Sequence, residues 1–234
     1  MEGDDEDFTL NLSVLFKVND RTTVGATFRE GGDFTLEGDA TFKKDDSCNT
    51  ATGGPAAAFC EGALDNQSGD IEAGVDIPDV LTISVSHMLN NQLTLHGDLA
   101  WTKWSSIDKI EIDQESTGNN VSTLDLDYDD AMRYAFGATW SDGGPWTWRG
   151  GIAFDEAPQT DPEFQTARVP DEDRTWLSAG FNYAFSDDAS IDFGFTHIMV
   201  DDPEINNTTE DGKTLTGEFD AEVNILAVQG NWTF

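Results

Sequence analysis

The sequence predicts an all-β protein, an antiparallel transmembrane β-barrel of long strands. Three features predict it. Side-chain polarity alternates with a period of two along much of the chain. The connections between alternating segments are by turns short and long. Acidic residues gather beside the long connections, whereas aromatic residues flank the short ones. No segment carries the 3.6-residue period of an amphipathic helix, and no apolar run reaches the roughly 18 residues a transmembrane helix needs.

Nine extended segments are expected, at residues 8–18, 21–43, 69–89, 91–113, 126–141, 145–155, 173–186, 189–201 and 216–234. In the first, Phe8, Leu10, Leu12, Val14 and Phe16 alternate with Thr9, Asn11, Ser13 and one apolar intruder, Leu15. The segments at 21–43, 69–89 and 91–113 are long; twenty residues at about 3.3 Å each would span roughly 65 Å, beyond an ordinary globular strand. Leu93, Leu95, Gly97, Leu99 and Trp101 alternate with Thr94, His96, Asp98, Ala100 and Thr102. Met132, Tyr134, Phe136, Ala138 and Trp140 do so with Ala131, Arg133, Ala135, Gly137 and Thr139. Leu177, Ala179, Phe181, Tyr183 and Phe185 oppose Trp176, Ser178, Gly180, Asn182 and Ala184, and Ile191, Phe193 and Phe195 oppose Asp192, Gly194 and Thr196. The last segment places Leu226, Val228, Gly230, Trp232 and Phe234 on one face and ends on an aromatic residue. A terminal aromatic of this kind is similar to the signal read by the bacterial barrel-assembly machinery.

The tight connections are Val18-Asn19-Asp20-Arg21, Leu89-Asn90-Asn91-Gln92, Ser141-Asp142-Gly143-Gly144-Pro145 and Ser186-Asp187-Asp188-Ala189. Long ones fall near 44–68, 114–125, 156–172 and 202–215, the plan of an outer-membrane barrel. Of 46 acidic residues, 36 lie on or beside this long-loop rim. Phe16, Trp140, Trp146, Trp148, Tyr183, Phe185, Trp232 and Phe234 flank the short turns or the terminus, as an interfacial girdle would. The net charge of −34 excludes a nucleic-acid partner and electrostatic anchoring to anionic headgroups. With 38% hydrophobic and 11% aromatic residues, the chain is no acidic disordered tail.

Cys48 and Cys60 lie in a small-residue loop; a disulfide between them is expected, with two free thiols as the alternative. The amino terminus has neither a basic nor an apolar leader region. Asn207, Thr209, Asp211, Gly212 and Glu218 match a calcium-loop spacing, but the first position lacks its Asp and no helices flank it, so no metal site is expected.

Several blocks carry a resemblance to a known family. They are Leu99-Ala100-Trp101-Thr102-Lys103-Trp104-Ser105-Ser106-Ile107, Trp148-Arg149-Gly150-Gly151-Ile152-Ala153-Phe154-Asp155-Glu156-Ala157-Pro158, and Val169-Pro170-Asp171-Glu172-Asp173-Arg174-Thr175-Trp176-Leu177-Ser178-Ala179-Gly180. Asp188-Ala189-Ser190-Ile191-Asp192-Phe193-Gly194-Phe195-Thr196-His197 continues them. In order and spacing they resemble the FadL-type outer-membrane transporters of long-chain fatty acids and aromatic hydrocarbons. The resemblance implies a fourteen-stranded barrel closed by an amino-terminal hatch. It also implies passive uptake of a hydrophobic small molecule through the barrel in the bacterial outer membrane, in contact with outer-membrane lipid, and no cofactor. Nine strands then correspond to the carboxy-terminal part of such a barrel, so residues 1–234 read as one partial barrel domain without the hatch. A strand split near Gly31-Gly32 is the alternative, giving an even count and a smaller barrel.

In such a barrel the small and polar set faces the lumen. That places Arg29, Trp104, Arg133 and Arg149 inward as candidate ligand-binding residues, with His96 and Asn182. A carboxylate-bearing amphiphile needs one cation and an apolar trough. The alternative is that these arginines pair with lumenal acids such as Asp98 and Asp192. Enzymatic readings have no support: His87 and His197 fall on the apolar face, away from His96, and no nucleophile elbow, Walker loop or HExxH is present. Two rival functions stay open, a soluble acidic β-sheet binding protein and a structural or adhesive barrel without transport.

Overall fold

A computed structural model describes residues 3–41, 69–167, 170–208 and 212–233. Among these the chain forms strands β1 (Gly3–Asp4), β2 (Asn11–Asn19), β3 (Thr22–Arg29), β4 (Gly32–Ala40), β5 (Gly69–Ile77), β6 (Val80–Met88), β7 (Leu93–Thr102) and β8 (Lys109–Gln114). They continue with β9 (Asn120–Asp125), β10 (Ala131–Ser141), β11 (Trp146–Asp155), β12 (Arg174–Ser186), β13 (Ala189–Val200), β14 (Glu204–Thr208), β15 (Thr214–Glu218) and β16 (Glu222–Trp232). A 3₁₀ turn at Trp104–Ser106 is the one helical element among the described residues. Every strand pairing among the described residues is antiparallel.

The chain divides into two compact units. The larger, residues 10–30, 78–105 and 127–234, holds a nine-stranded sheet in the order β16-β13-β12-β11-β10-β7-β6-β3-β2, together with the β14–β15 hairpin. Each of the nine expected segments contributes one strand to this sheet. The strands run 8–13 residues, near the 9–11 that a tilted membrane-crossing strand requires.

The long segments are not single strands. The first breaks at Glu30–Gly31, the second at Pro78–Asp79, the third between Thr102 and Lys109. Proline has no N–H to donate to a ladder, and the 3₁₀ turn carries the chain out of β7. The halves beyond these breaks, β4, β5 and β8, join a separate sheet of order β1-β4-β5-β8-β9 in the smaller unit. The split near Gly31 therefore adds no strand to the larger sheet, which keeps nine. The expected long connections at 114–125 and 202–215 hold β9 and β14, whose short polar runs carry little period-two signal.

The smaller sheet has one apolar and one acidic face. Phe34, Leu36, Ile71, Val75 and Ile112 lie on the first, and Ile71 is buried. On the other, carboxylates oppose one another directly across the strands: Asp33 with Asp76, Asp39 with Asp70, and Glu72 with both Glu37 and Asp113. No group of three or more His, Cys, Asp or Glu residues able to hold a metal occurs among the described residues.

The larger sheet has almost no interior. Large apolar side chains stand exposed along one face, including Leu12, Val14 and Phe16 on β2, Leu81, Ile83 and Val85 on β6, Tyr134 and Phe136 on β10, and Leu226 and Val228 on β16. The register makes them neighbours: Val14 lies beside Ala26, Ala26 beside Ile83, Ile83 beside Leu99, and Leu99 beside Tyr134. A continuous apolar face of this extent marks a surface meant for something other than water.

Candidate functional site: the polar face of the nine-stranded sheet

A period of two sends every second residue of each strand to the opposite face. There the register assembles a different chemistry. One cross-strand row reads Gly25, Ser84, Asp98, Ala135, Ala153, Trp176; the next reads Thr23, Ser86, His96, Gly137, Gly151, Ser178, Thr196. Hydroxyl pairs tie adjacent strands: Ser13 with Thr27 at 3.1 Å, Ser178 with Thr196 at 2.9 Å, and the His96 ring with Thr139 at 3.1 Å. The Ser84 hydroxyl donates to Asp98.

Small side chains leave this face hollow. A cavity of about 670 Å³ extends from Ser13 on β2 to Trp176 on β12, lined also by Ser84, Asp98, Arg133 and Ala153. A second, of about 480 Å³, lies over Gly137, Arg149, Gly151, Gly180, Asp192 and Gly194. Both are of the size that holds small organic ligands.

The arginines on this face differ in what they touch. Arg149 on β11 donates to Asp192 at 2.8 Å, and Asn231 donates to the other oxygen of that carboxylate at 2.7 Å. Arg174 lies 3.6 Å from both Asp155 and Asp171. Arg133, half-buried on β10, has no carboxylate within ion-pair distance among the described residues. Its guanidinium lies over the Trp176 ring, 5.2 Å from the centroid, and its buried Nε has no acceptor. Arg29 ends β3 on the same face, exposed and outside both cavities.

Trp104 departs from the expectation. Because pairing of β7 stops at Thr102, residue 104 belongs to neither face; it sits in the 3₁₀ turn, edge-on to Tyr128 at 5.9 Å. Cys48, Cys60 and Phe234 lie outside the described residues, as do Thr209 and Asp211 of the calcium-like spacing. Trp176 and Ser84 were not singled out from sequence, and Asp98, expected as an arginine partner, accepts from the Ser84 hydroxyl instead. The signal for Trp176 was present: it is a large aromatic in the register otherwise held by Ser178, Gly180 and Asn182.

Above the end of the sheet, the connection between β11 and β12 is ordered by a glutamine clamp. Gln165, 2% exposed, donates to the carbonyls of Gln159 and Asp171 and accepts from the Asp171 N–H. The Asp173 carboxylate accepts from the Ala157 N–H at 2.9 Å, and Asn206 of β14 donates its N–H to the Pro162 carbonyl at 2.7 Å. Burial raises the pKa of both Asp171 and Glu172; the nearby Arg174 opposes the rise at Asp171, and the N–H that Asp173 donates to Glu172 opposes it there.

At the other end, beside the short turns, aromatic rings cluster on the apolar face. Trp146 stacks on Trp148 at 5.4 Å and meets Tyr183 at 4.6 Å, and Tyr183 meets Phe185 at 5.0 Å.

This arrangement, an exposed apolar face backed by a hollow polar one, agrees with what the chain is similar to. A family model described as outer membrane protein transport protein (OMPP1/FadL/TodX) matches residues 1–234. The chain belongs to that family. Its place is the bacterial outer membrane, and the named relatives of this family member are transport and outer-membrane proteins rather than enzymes.

A long-chain fatty acid transport protein of Escherichia coli O6:H1 is 30% identical over 199 residues, 85% of this chain and 43% of that protein. Outer membrane protein P1 of Haemophilus influenzae is 29% identical, over 89% of this chain and 42% of its own length. The crystal structure of a Pseudomonas aeruginosa FadL homologue superposes with a TM-score of 0.83 at 22% identity, covering 95% of this chain and 51% of that one. The CymD monoaromatic hydrocarbon channel gives 0.53 at 22% identity, over 82% of this chain and 46% of its own. The chain spans about half the length of the relatives it matches.

Proposed function

We propose that residues 1–234 form part of one outer-membrane β-barrel domain through which hydrophobic compounds, fatty acids or hydrocarbons, pass passively. The opposition of the two faces of the nine-stranded sheet carries this reading. Leucine, isoleucine, valine and aromatic side chains on one face suit lipid, while glycine, alanine and hydroxyl side chains on the other leave room for a solute. Relatives named for long-chain fatty acid transport and neighbours named as hydrocarbon channels support it. In the same reading the Trp146–Trp148–Tyr183 cluster seats in the lipid interface, and Phe234 is the residue read by the assembly machinery.

Two glycines provide the test. A Cβ at Gly194 or at Gly230 would meet nothing within 4 Å, so a larger residue at either position disturbs no neighbour at its base. Gly194 lies on the hollow face beside Arg149 and Asp192, whereas Gly230 pairs with Ile191 on the apolar face. Gly194→Trp should cut uptake of a radiolabelled fatty acid or toluene by cells carrying the full-length protein at least fivefold, while Gly230→Trp leaves it within twofold. Equal uptake in both variants, at equal outer-membrane abundance, would overturn transport along this face and favour a barrel without transport.

A further inference from the structure

We propose that Arg133, stacked on Trp176 at one end of the larger cavity, binds the carboxylate of a long-chain monocarboxylate whose apolar body lies along the hollow face. This rests on the transport reading above and names its ligand class. The chain has 46 acidic residues against 12 basic ones, so a cation without an acid beside it is unexpected. Arg149 and Arg174 follow the expected pattern, each with at least one carboxylate. Arg133 does not. Asp155 lies directly across from it in the register, but the nearest cation to that carboxylate is Arg174, at 3.6 Å.

The Arg133 side chain is half-buried: its Nε is buried without an acceptor, while its terminal nitrogens are not buried and make no hydrogen bond among the described residues. A carboxylate from outside can therefore take the terminal N–H donors without breaking an internal bond. Trp176 holds the group by its face, which restricts it to edge-on, in-plane hydrogen bonding, the mode that suits the two oxygens of a carboxylate. The buried Nε1 of Trp176 also lacks an acceptor, so the pair does not saturate itself internally. From this end the cavity runs past Ala135 and Ala153 to Leu15 on β2, with carbon surface between the hydroxyls for an acyl chain. A pure hydrocarbon would leave the arginine as it is and gain nothing from it.

The test uses the full-length protein, purified from membranes in a non-ionic detergent, with oleate and oleyl alcohol as probes in calorimetric titration. Arg133→Gln should weaken oleate at least tenfold and leave oleyl alcohol within twofold. Arg133→Lys should restore part of the oleate affinity, because the charge returns without the planar fork. Lys109→Gln, in the smaller sheet and paired with Glu111, should change neither probe more than twofold. Unchanged oleate affinity in Arg133→Gln overturns the proposal, as does an equal loss for oleate and oleyl alcohol, which would mark a packing role. Toluene uptake separates the two levels. If Arg133→Gln takes up toluene as before and oleate binding is unaltered, the carboxylate site fails while transport stands; if the unaltered protein takes up neither compound, the transport reading itself fails.

Discussion

Gly180 and Gly194 are direct cross-strand partners on the hollow face, yet they should respond oppositely to one added methyl group. A Cβ on Gly180 would lie 2.6 Å from the Phe193 carbonyl oxygen and 3.4 Å from Gly194 Cα. Ordinary van der Waals contact starts near 3.4 Å, and backbone atoms cannot rotate aside, so β12 and β13 would have to part by several tenths of an ångström. Such overpacking costs about 1–3 kcal/mol. At Gly194 nothing lies within 4 Å, and replacing a strand glycine by alanine there recovers about 0.5–1 kcal/mol of backbone entropy. Gly180→Ala should therefore melt below Gly194→Ala by roughly 3–9 °C, at about 3 °C per kcal/mol. The assay is the temperature at which the compact, unboiled form is lost from SDS gels. Equal melting of the two variants would refute the reasoning, because steric room is the one thing that separates the positions.

The loop over the end of the sheet offers two more predictions, and the acidic sheet one. Gln165→Leu removes three hydrogen bonds, two to carbonyls and one from an N–H, each worth about 0.5–1.5 kcal/mol, so proteinase K should cut residues 157–167 at least tenfold faster; unchanged cleavage would show the clamp to be idle. Asp171 and Glu172 have raised pKa values in the fold, so their ionised forms oppose the closed loop at neutral pH and protonation relieves this. Hydrogen exchange there, corrected for intrinsic rates, should slow as pH falls from neutral through the raised values toward the ordinary carboxylate range, with Asp171→Asn flattening the response; exchange that quickens on acidification would refute it. Glu72→Gln removes two like-charge oppositions worth about 0.2–1 kcal/mol each and should raise the melting temperature of the smaller sheet. Molar salt should shrink that gain, and a gain indifferent to salt would point to packing instead.

The larger sheet was legible because its information is local. A strict period of two tells which residues share a face whatever the strand pairs with, so His87 and His197 were placed on the apolar face and His96, Arg133 and Arg149 on the other. The nine strands followed from alternation and turns. What the period cannot tell is where a strand changes sheets. Alternation continues through Glu30–Gly31 and resumes after Pro78, so β3 and β4, or β5 and β6, read as single strands. Trp104 was misplaced for the same reason, since the pattern was extended two residues past the end of β7. Periodicity put Asp192 on the arginine face as a possible partner, but which arginine it takes, Arg149, depends on register across three strands. Gln165 had no signal at all, because its clamp is a matter of loop backbone groups brought together in space.

The charge of −34 and the exposed apolar face look contradictory in one chain until each is assigned to a solvent. Backbone hydrogen bonding in a sheet is indifferent to side chains, so the same ladder can present leucine and phenylalanine to lipid on one side and serine and glycine to a solute on the other. Among the described residues most acids lie in the smaller sheet, the connections and the β14–β15 hairpin, and a few lie on the hollow face, where Arg149 and Arg174 are matched to them. Against that background Arg133 is informative in a way no motif is. The chain has acids in excess, places Asp155 directly opposite, and still leaves this guanidinium to an indole ring. A partner supplied from outside the chain would give that exception a reason.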